Sequence, residues 1–587
     1  MKSLLLASLL AFGGSILAAP PNVVIFLTDD QGTLDANCYG SKDLYTPAMD
    51  RLARTGVRFT QAYAHTVCCP ARALLMTGRH PQRSGVTHWT QGDRKGSDSR
   101  NRNMAASEIT IAEVLRKAGY ATAIFGKWHL GAREGHDPLA QGFGHHFGHL
   151  GGFIDNYNHF FLHGQGFHDL YEDNVEIFKR DSYFPDLMTG RALDYIDRHK
   201  NKPFFLYVAF NIPHYPEQHD RKFEERYKDL PMPRRSYARM ISTTDDRMLQ
   251  ILRKLEEHKL RENTIVIFMS DNGGVSKFWK GGLRGNKAGV HEGGVRSPFY
   301  ARWLGTIPAG SKVEAQTSHV DLLPTFCELA GAPLPKDRQL DGKSFATLLK
   351  TGRGQQHQPY VYHTWDRYTP NPDKRWSVSD QRWKLVGLFS KTKPDPAKWQ
   401  LYDLQSDPGE TKNIAGQHPP EVRRLRKAFT DWFDEVTAGQ TYRPVPIPIG
   451  HDNRPVELQP SWATWTGPHI NYTFDGYDWD TIDRWKSQGE QAVWKLEVAQ
   501  AGRYAITLHY GCAPVLAGGT LRLSAGSQSL DHKVRATVTA EQFSQFPAGT
   551  LNLPAGQTTF KAAIHRAGPG EFMRLNGIHL QRLPKVR

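Results

Sequence analysis

The sequence predicts an α/β protein: a mixed, mostly parallel central sheet sandwiched by helices, followed by a small antiparallel C-terminal subdomain and an appended β-sandwich. Three observations predict it. Unbroken apolar runs ending in polar residues recur in the first half, helical stretches separate them, and beyond residue 455 the pattern turns to alternation with turn glycines. The runs are "PNVVIFLTDDQG" (21–32), "PFFLYVAFNIPH" (203–214) and "NTIVIFMSDNGG" (263–274). Continuous hydrophobicity marks strands buried on both faces, as in a parallel sheet covered by helices. Between them "TPAMDRLARTG" (46–56), "EITIAEVLRKAG" (108–119) and "RMISTTDDRMLQILRKLEEH" (239–258) read as helices, which gives the alternation of an α/β sandwich. Ligands of such sheets bind beyond the carboxyl ends of the strands. Asp29, Asp30, Asp271 and Asn272 fall there.

The remaining segments follow in order. "MKSLLLASLLAFGGSILAAPP" has a lysine, an apolar run and small residues, so 1–19 reads as a secretory signal peptide. No other stretch is long and apolar enough to cross a bilayer, and the expectation is an exported protein, periplasmic or extracellular, without a membrane partner. Residues 20–355 form the expected catalytic α/β domain. In 356–441, "RWSVSDQRWKLVG" and "WQLYDLQSDPGETKNI" suggest a small antiparallel sheet, and "PPEVRRLRKAFTDWFDEV" (419–436) an amphipathic helix. The prolines of "YRPVPIPIGHDNRP" predict a stiff connector over 442–455. Beyond it, "AGRYAITLHY", "GTLRLSAGSQSL" and "GTLNLPAGQTTFKAAIHR" predict a β-sandwich over 456–587.

Composition narrows the chemistry. A formal charge of +15 favours encounters with polyanions, but no nucleic-acid motif or dense Lys/Arg block accompanies it. The five cysteines, Cys38, Cys68, Cys69, Cys327 and Cys512, are an odd and sparse set, not a disulfide framework. They also lack the second pair that a zinc site needs. The two acid pairs give a different signal. Two acids side by side at a strand end repel each other unless a cation or a capped helix compensates them. Asp29, Asp30, Asp271 and Asn272 make an all-oxygen donor set suited to a hard cation, Ca²⁺ or alternatively Mg²⁺.

"CCPARALLMTGR" (68–79) has the form C-x-P-x-R…T-G-R and resembles the signature of the type I sulfatases of the alkaline phosphatase superfamily. "GKWHLG" (126–131), "PHYP" (213–216), "SDNGG" (270–274), "LRGNKAGVHEGGVRSP" (283–298) and "LYDLQSDPGETKNI" resemble further motifs of that family, in the family order, over roughly 20–440. The resemblance implies that Cys68 is oxidised by a maturation enzyme to formylglycine, and that Cys69 occupies the unspecified position as a buried neutral thiol. It implies a metal bound by Asp29, Asp30, Asp271, Asn272 and the aldehyde hydrate at position 68. Arg72 then holds the hydrate, while Lys127 and Lys287 spread the charge of the transferring group. His129 fits the base that triggers sulfate release and His214 the acid that protonates the departing sugar oxygen. Glu292 and Arg296 take supporting roles. Ala48 and Ala71 depart from the family's commoner Asn and Ser without touching the chemistry. His145, His146 and His149 in "GFGHHFGHLGG" replace its usual acidic or aromatic residues and are expected as loop or subsite residues.

The chemistry also follows from below. A sulfate monoester is an anion that repels nucleophiles, and a serine would be left as a stable sulfoserine. A hydrated aldehyde attacks sulfur with one hydroxyl and expels sulfate when the other loses its proton. Export and basic charge point to sulfated polysaccharides or their oligosaccharides as substrate. Trp462, Trp465, Tyr472, Tyr477, Trp479, Trp485 and Trp494 offer either sugar-stacking surfaces or core. Two alternatives stand beside this reading: a phosphonate or phosphate ester hydrolase on the same scaffold, and an unmatured sugar-binding protein that keeps Cys68 as a thiol.

Overall fold

The computed structural model describes residues 20–584 except 90–102, 133, 162–166, 276–281, 366–369, 389–397, 441–445, 452, 454 and 474–480. The expected signal peptide, Tyr477 and Trp479 therefore lie outside the described residues. The central sheet has ten strands. Its middle is parallel: Thr264–Ser270, Asn22–Thr28, Phe204–Ala209, Ala121–Lys127 and His145–His149 lie side by side in that order. Phe299–Arg302 joins antiparallel on one side, and Tyr171–Glu172 joins on the other.

The unbroken apolar runs behave as their composition requires. In Asn22–Thr28, Val23, Ile25 and Leu27 enter one core, while Val24 and Phe26 enter the other. The first core contains helices Cys68–Thr77, Ile111–Lys117 and Leu322–Ala330; the second contains Pro47–Thr55, Phe184–His199 and Arg234–Glu257. A strand covered on both faces has no side left for polar residues until it ends, so its polar residues gather at its carboxyl end.

A four-stranded antiparallel sheet follows (Val361–Trp365, Arg375–Ser379, Trp383–Gly387, Gln400–Asp403), with helix Pro419–Thr437 packed on it through Leu425, Phe429 and Trp432. Two mostly antiparallel sheets then enclose a separate core around Trp485 and Trp494.

Two expectations change. The predicted connector is partly strand: Ile447–Ile449 pairs in parallel with Gln491–Val498, and its isoleucines fill the sandwich core. Pro448 fits because Gln491–Val498 is the only strand that Ile447–Ile449 pairs with among the described residues, so one side of it needs no donor. The histidine-rich segment is also strand, not loop. His145–His149 pairs with Ala121–Lys127 in register, His149 opposite Lys127, and its glycines permit close strand approach.

Candidate active site

The site forms where the two longest parallel runs stop. Thr28 is in register with Ser270, so Asp29–Asp30 and Asp271–Asn272 leave the sheet side by side. Both ends are laced together. The Asp30 N–H reaches Asp271 Oδ1 at 3.3 Å, and Asn272 Nδ2 donates to Asp30 Oδ1 at 2.7 Å. Asp30 adopts φ 69°, a left-handed conformation unusual for a residue with a side chain. Tyr237, in helix Arg234–Glu257, braces that turn: its hydroxyl accepts from Gly32 N–H (3.1 Å) and lies 3.2 Å from the Asp30 carbonyl and 3.0 Å from Asp35 Oδ2. Arg234 in turn grips Asp35 at 2.7 Å.

Cys68 opens the helix Cys68–Thr77 and is buried, with Sγ 3.4 Å from Asp29 Oδ1. Burial and then Asp29 push its thiol well above the usual range. Cys69 is buried and belongs instead to the apolar core cluster on that side of the sheet. The adjacent cysteines thus differ: Cys68 faces the acid cluster, whereas Cys69 joins the apolar core cluster.

Three cations meet the three carboxylates. Lys127 Nζ lies 2.5 Å from Asp29 Oδ2, and Lys287 Nζ 2.7 Å from Asp30 Oδ1. Arg72 donates through Nε (3.1 Å) and Nη2 (2.8 Å) to Asp271 Oδ2, and through Nη1 to the Lys127 carbonyl at 2.9 Å. Arg72 therefore ties the nucleophile's helix to two strand ends. Burial favours neutral carboxyls, yet Lys127, His214 and Arg72 outweigh it at Asp29, and Lys287, His214 and Asn272 outweigh it at Asp30; both carboxyls sit below their ordinary range. At Asp271 burial and Asp29 win, and its carboxyl is raised. Gly126, next to Lys127, lets its strand approach Phe204–Ala209 closely: a Cβ there would lie 1.9 Å from the Ala209 carbonyl oxygen.

His129 is buried, at φ 60°, beside this cluster in sequence and strand order. His214 Nε2 lies 3.7 Å from Asp30 Oδ2, its Nδ1 is 2.7 Å from the Tyr215 carbonyl, and its ring stacks on Phe153 (centroids 5.3 Å apart). The Tyr215 carbonyl can only accept, so Nδ1 carries a hydrogen and Nε2 faces the site. Burial and then Lys287 lower the His214 imidazole, against the pull of Asp30 and Asp29.

Sequence reasoning missed a buried ionic group behind Lys287. Lys384 of the four-stranded sheet contacts Glu292 (2.8 Å) and Glu410 (3.3 Å); Tyr63 donates to Glu292 at 3.1 Å, and Glu410 accepts the Glu292 N–H at 2.7 Å. Burial and Glu292 push Glu410 up to about 7 despite Lys384. Glu410 belongs to "LYDLQSDPGETKNI", so that motif anchors the segment that carries Lys287.

The donor set fits a hard cation. The ligand atoms of Asp29, Asp30, Cys68 and Asp271 all lie within 4.8 Å of one another. Asn272 Oδ1 is buried without a hydrogen-bond partner, a costly state for an amide oxygen that a cation would relieve. Asp197, Glu257 and His258 form a second cluster, but Lys254 pairs with both acids there.

A thiol at a helix start and carboxylates from two strand ends, with three cations beside them, make a donor set that fits a divalent ion. Residues 21–332 match the sulfatase family, and 285–437 match the family described as N-sulphoglucosamine sulphohydrolase, C-terminal. Human arylsulfatase A is 33% identical over 77% of this chain and 94% of its own length. An arylsulfatase of Hemicentrotus pulcherrimus is 33% identical over 59% of this chain, which spans 65% of that relative's length. The crystal structure of Ps i-CgsB in complex with k-i-k-neocarrahexaose superposes with TM-score 0.64 at 27% identity, over 72% of this chain and 95% of that one. The chain belongs to the type I sulfatases of the alkaline phosphatase superfamily, and with them is a sulfuric ester hydrolase.

Proposed function

We propose that this protein is an exported sulfatase that removes sulfate from sulfated polysaccharides or oligosaccharides, after a maturation enzyme converts Cys68 to formylglycine. One observation carries the reading: Cys68, Asp29, Asp30 and Asp271 converge within 4.8 Å, under Lys127 and Lys287. When present, the divalent cation, Ca²⁺ or Mg²⁺, and the aldehyde hydrate supply a polarised sulfate oxygen and a nucleophilic hydroxyl. Asp29, Asp30, Asp271 and Asn272 would hold the cation. Lys127 and Lys287 stabilise charge on the transferring sulfuryl oxygens. Arg72 fixes Asp271 and the end of the Lys127 strand, a positioning role in place of the expected hold on the hydrate.

His214 presents Nε2 to the leaving oxygen. Because Nδ1–H is committed to the Tyr215 carbonyl, donation from Nε2 requires the imidazolium. The negative sulfate ester supplies the field that favours that form once bound. His129 takes the proton whose loss releases sulfate. The matched C-terminal family and the carrahexaose complex of Ps i-CgsB support a sulfated carbohydrate as substrate class, and the family favours sulfate over the phosphonate and phosphate alternatives.

Peptide mass analysis of residue 68, paired with turnover of aryl sulfate and aryl phosphonate, tests the proposal. The expected result is an aldehyde at 68 and preference for sulfate. A free thiol in active enzyme, or phosphonate preference, overturns it.

A further inference from the structure

Among the described sandwich aromatics, Trp485 and Trp494 belong to the core. Trp485 and Trp494 are fully buried, and their indole N–H groups donate to the carbonyls of Met573 and Gln459, each at 2.7 Å. Trp465 is 39% exposed but leans on Tyr472 at the sandwich edge. A different surface is built for a ligand. On the outer face of the sheet containing Gln491–Val498, Thr520–Ala525 and Gly556–Arg566 lies a cavity of about 460 Å³, within the range of small-ligand sites. Its polar lining is Lys495, Lys561, Ser524, Thr558, Thr559 and Gln557, without a carboxylate.

Register explains the concentration of charge. Lys495 is opposite Thr559 and Lys561 is opposite Ser524, so the ammonium groups stand on diagonal neighbours of one face, with Cα atoms about 7–8 Å apart. Neither has an ion-pair or hydrogen-bond partner among the described residues. The neighbouring cation of that face, Arg522, is by contrast neutralised by Asp531 through two 2.8 Å contacts. Glu497 is the acid nearest along the strand, and it lies outside the cavity lining. A further cavity, beside helix Pro419–Thr437, mixes Lys343, Arg424 and Lys427 with Asp341, Asp431 and Glu435, so its charge balances. Two neighbouring lysines on a face whose cavity holds no carboxylate present concentrated positive charge to an anionic ligand.

We infer that this face of the sandwich is a second, non-catalytic binding site for a sulfated sugar unit, Lys495 and Lys561 meeting the sulfate while Ser524, Thr559 and Gln557 hydrogen-bond ring hydroxyls. The inference rests on the sulfated-carbohydrate reading of the active site. It gives the enzyme a hold on a polymer away from the bond being cut.

Affinity electrophoresis of the full-length enzyme tests it, in gels cast with iota-carrageenan, with chondroitin sulfate, or with chemically desulfated carrageenan, at 0.15 M NaCl. Wild type is expected to be retarded in a sulfated gel and not in the desulfated one. Lys495→Ala/Lys561→Ala should bind about tenfold more weakly, the loss expected for two exposed charge contacts. The charge-matched Lys42→Ala/Lys202→Ala control should bind as wild type. Both double variants should turn over p-nitrophenyl sulfate unchanged. No retardation in either sulfated gel, equal loss in the control, or equal retardation in the desulfated gel overturns the inference. Wild type that fails to release sulfate from p-nitrophenyl sulfate instead sinks the catalytic reading and leaves the gel result standing.

Discussion

Where Asn22–Thr28 and Thr264–Ser270 end, the α/β region buries Asp29, Asp30, Asp271, Arg72 and Lys127; farther out it buries Glu292, Lys384 and Glu410. Between its two sheets the sandwich buries Trp485, Trp494, Leu496, Leu508 and Ile578. Its main buried acid, Glu490, has neutral partners: it accepts backbone N–H bonds from His469, Ile470, Lys486 and Ser487, which hold its carboxyl at about 2 against burial. One region places ions in low dielectric, where each depends on a partner. The other keeps its cations on the surface, where water solvates them. Chemistry on an anion needs preorganised internal charge, whereas holding a polymer does not.

The contrast can be broken by experiment. Cys68→Ala should abolish aryl sulfate turnover with little change in melting temperature, since the side chain is small and its environment polar. Cys69→Ala should keep most activity; a dead Cys69→Ala variant with an active Cys68→Ala would reverse the assignment. Next in size, Lys384→Met leaves Glu410 buried without its cation and Glu292 with only Arg296, 3.5 Å away, among the described residues. It should destabilise the α/β region by about 3–5 kcal/mol, and calorimetry should show the sandwich transition unmoved. A common shift of both transitions would mean the two regions unfold as one.

Calcium should act on the same side only. At a hundredfold excess over its Kd it should stabilise the α/β region by about 2.7 kcal/mol, and EDTA should reverse this. Acid sharpens the difference further. Burial lowers His65 and His319 to about 3, and His149 and His363 well below their usual range. Unfolded histidine binds a proton near pH 6.5 and these do not, so their contribution is present above pH 6.5 and fades as pH falls toward 3. His509 and His532 of the sandwich shift the same way but less deeply, and Glu490 contributes loss only below about pH 4.5. The four α/β histidines should make the α/β melting temperature fall more steeply between pH 6.5 and 4, with the raised carboxyls of Glu410 and Asp245 opposing part of that fall. The smallest effect is expected from Tyr237→Phe: a several-fold weaker calcium affinity by titration calorimetry, with kcat at saturating calcium nearly unchanged.

Much of the arrangement was legible because strand ends advertise themselves. An apolar run that stops at Asp29–Asp30 or Asp271–Asn272 names both the strand and the acids at its end, and the resemblance to sulfatase motifs pointed to Lys127, His129, His214 and Lys287. What escaped was set by tertiary partners. Nothing local in "CCPAR" says that Arg72 turns to Asp271, or that Lys384, more than ninety residues after Glu292, is its counterion. Tyr237 in a long helix reads as a core aromatic until its hydroxyl is found beside the Asp30 carbonyl. His145–His149 read as loop because its glycines resemble turn residues, when they serve close strand packing. Pro448 marked a connector, yet a proline can stand on the unpaired side of a strand.

The burial of Cys68 sets a timetable. Position 68 is 1% exposed and Asp29, Lys127 and the helix it begins close over it, so another protein cannot reach its sulfur once the sheet has assembled. Any enzyme that edits this residue must work on the nascent, extended chain, and a molecule that folds first is committed to remaining a thiol.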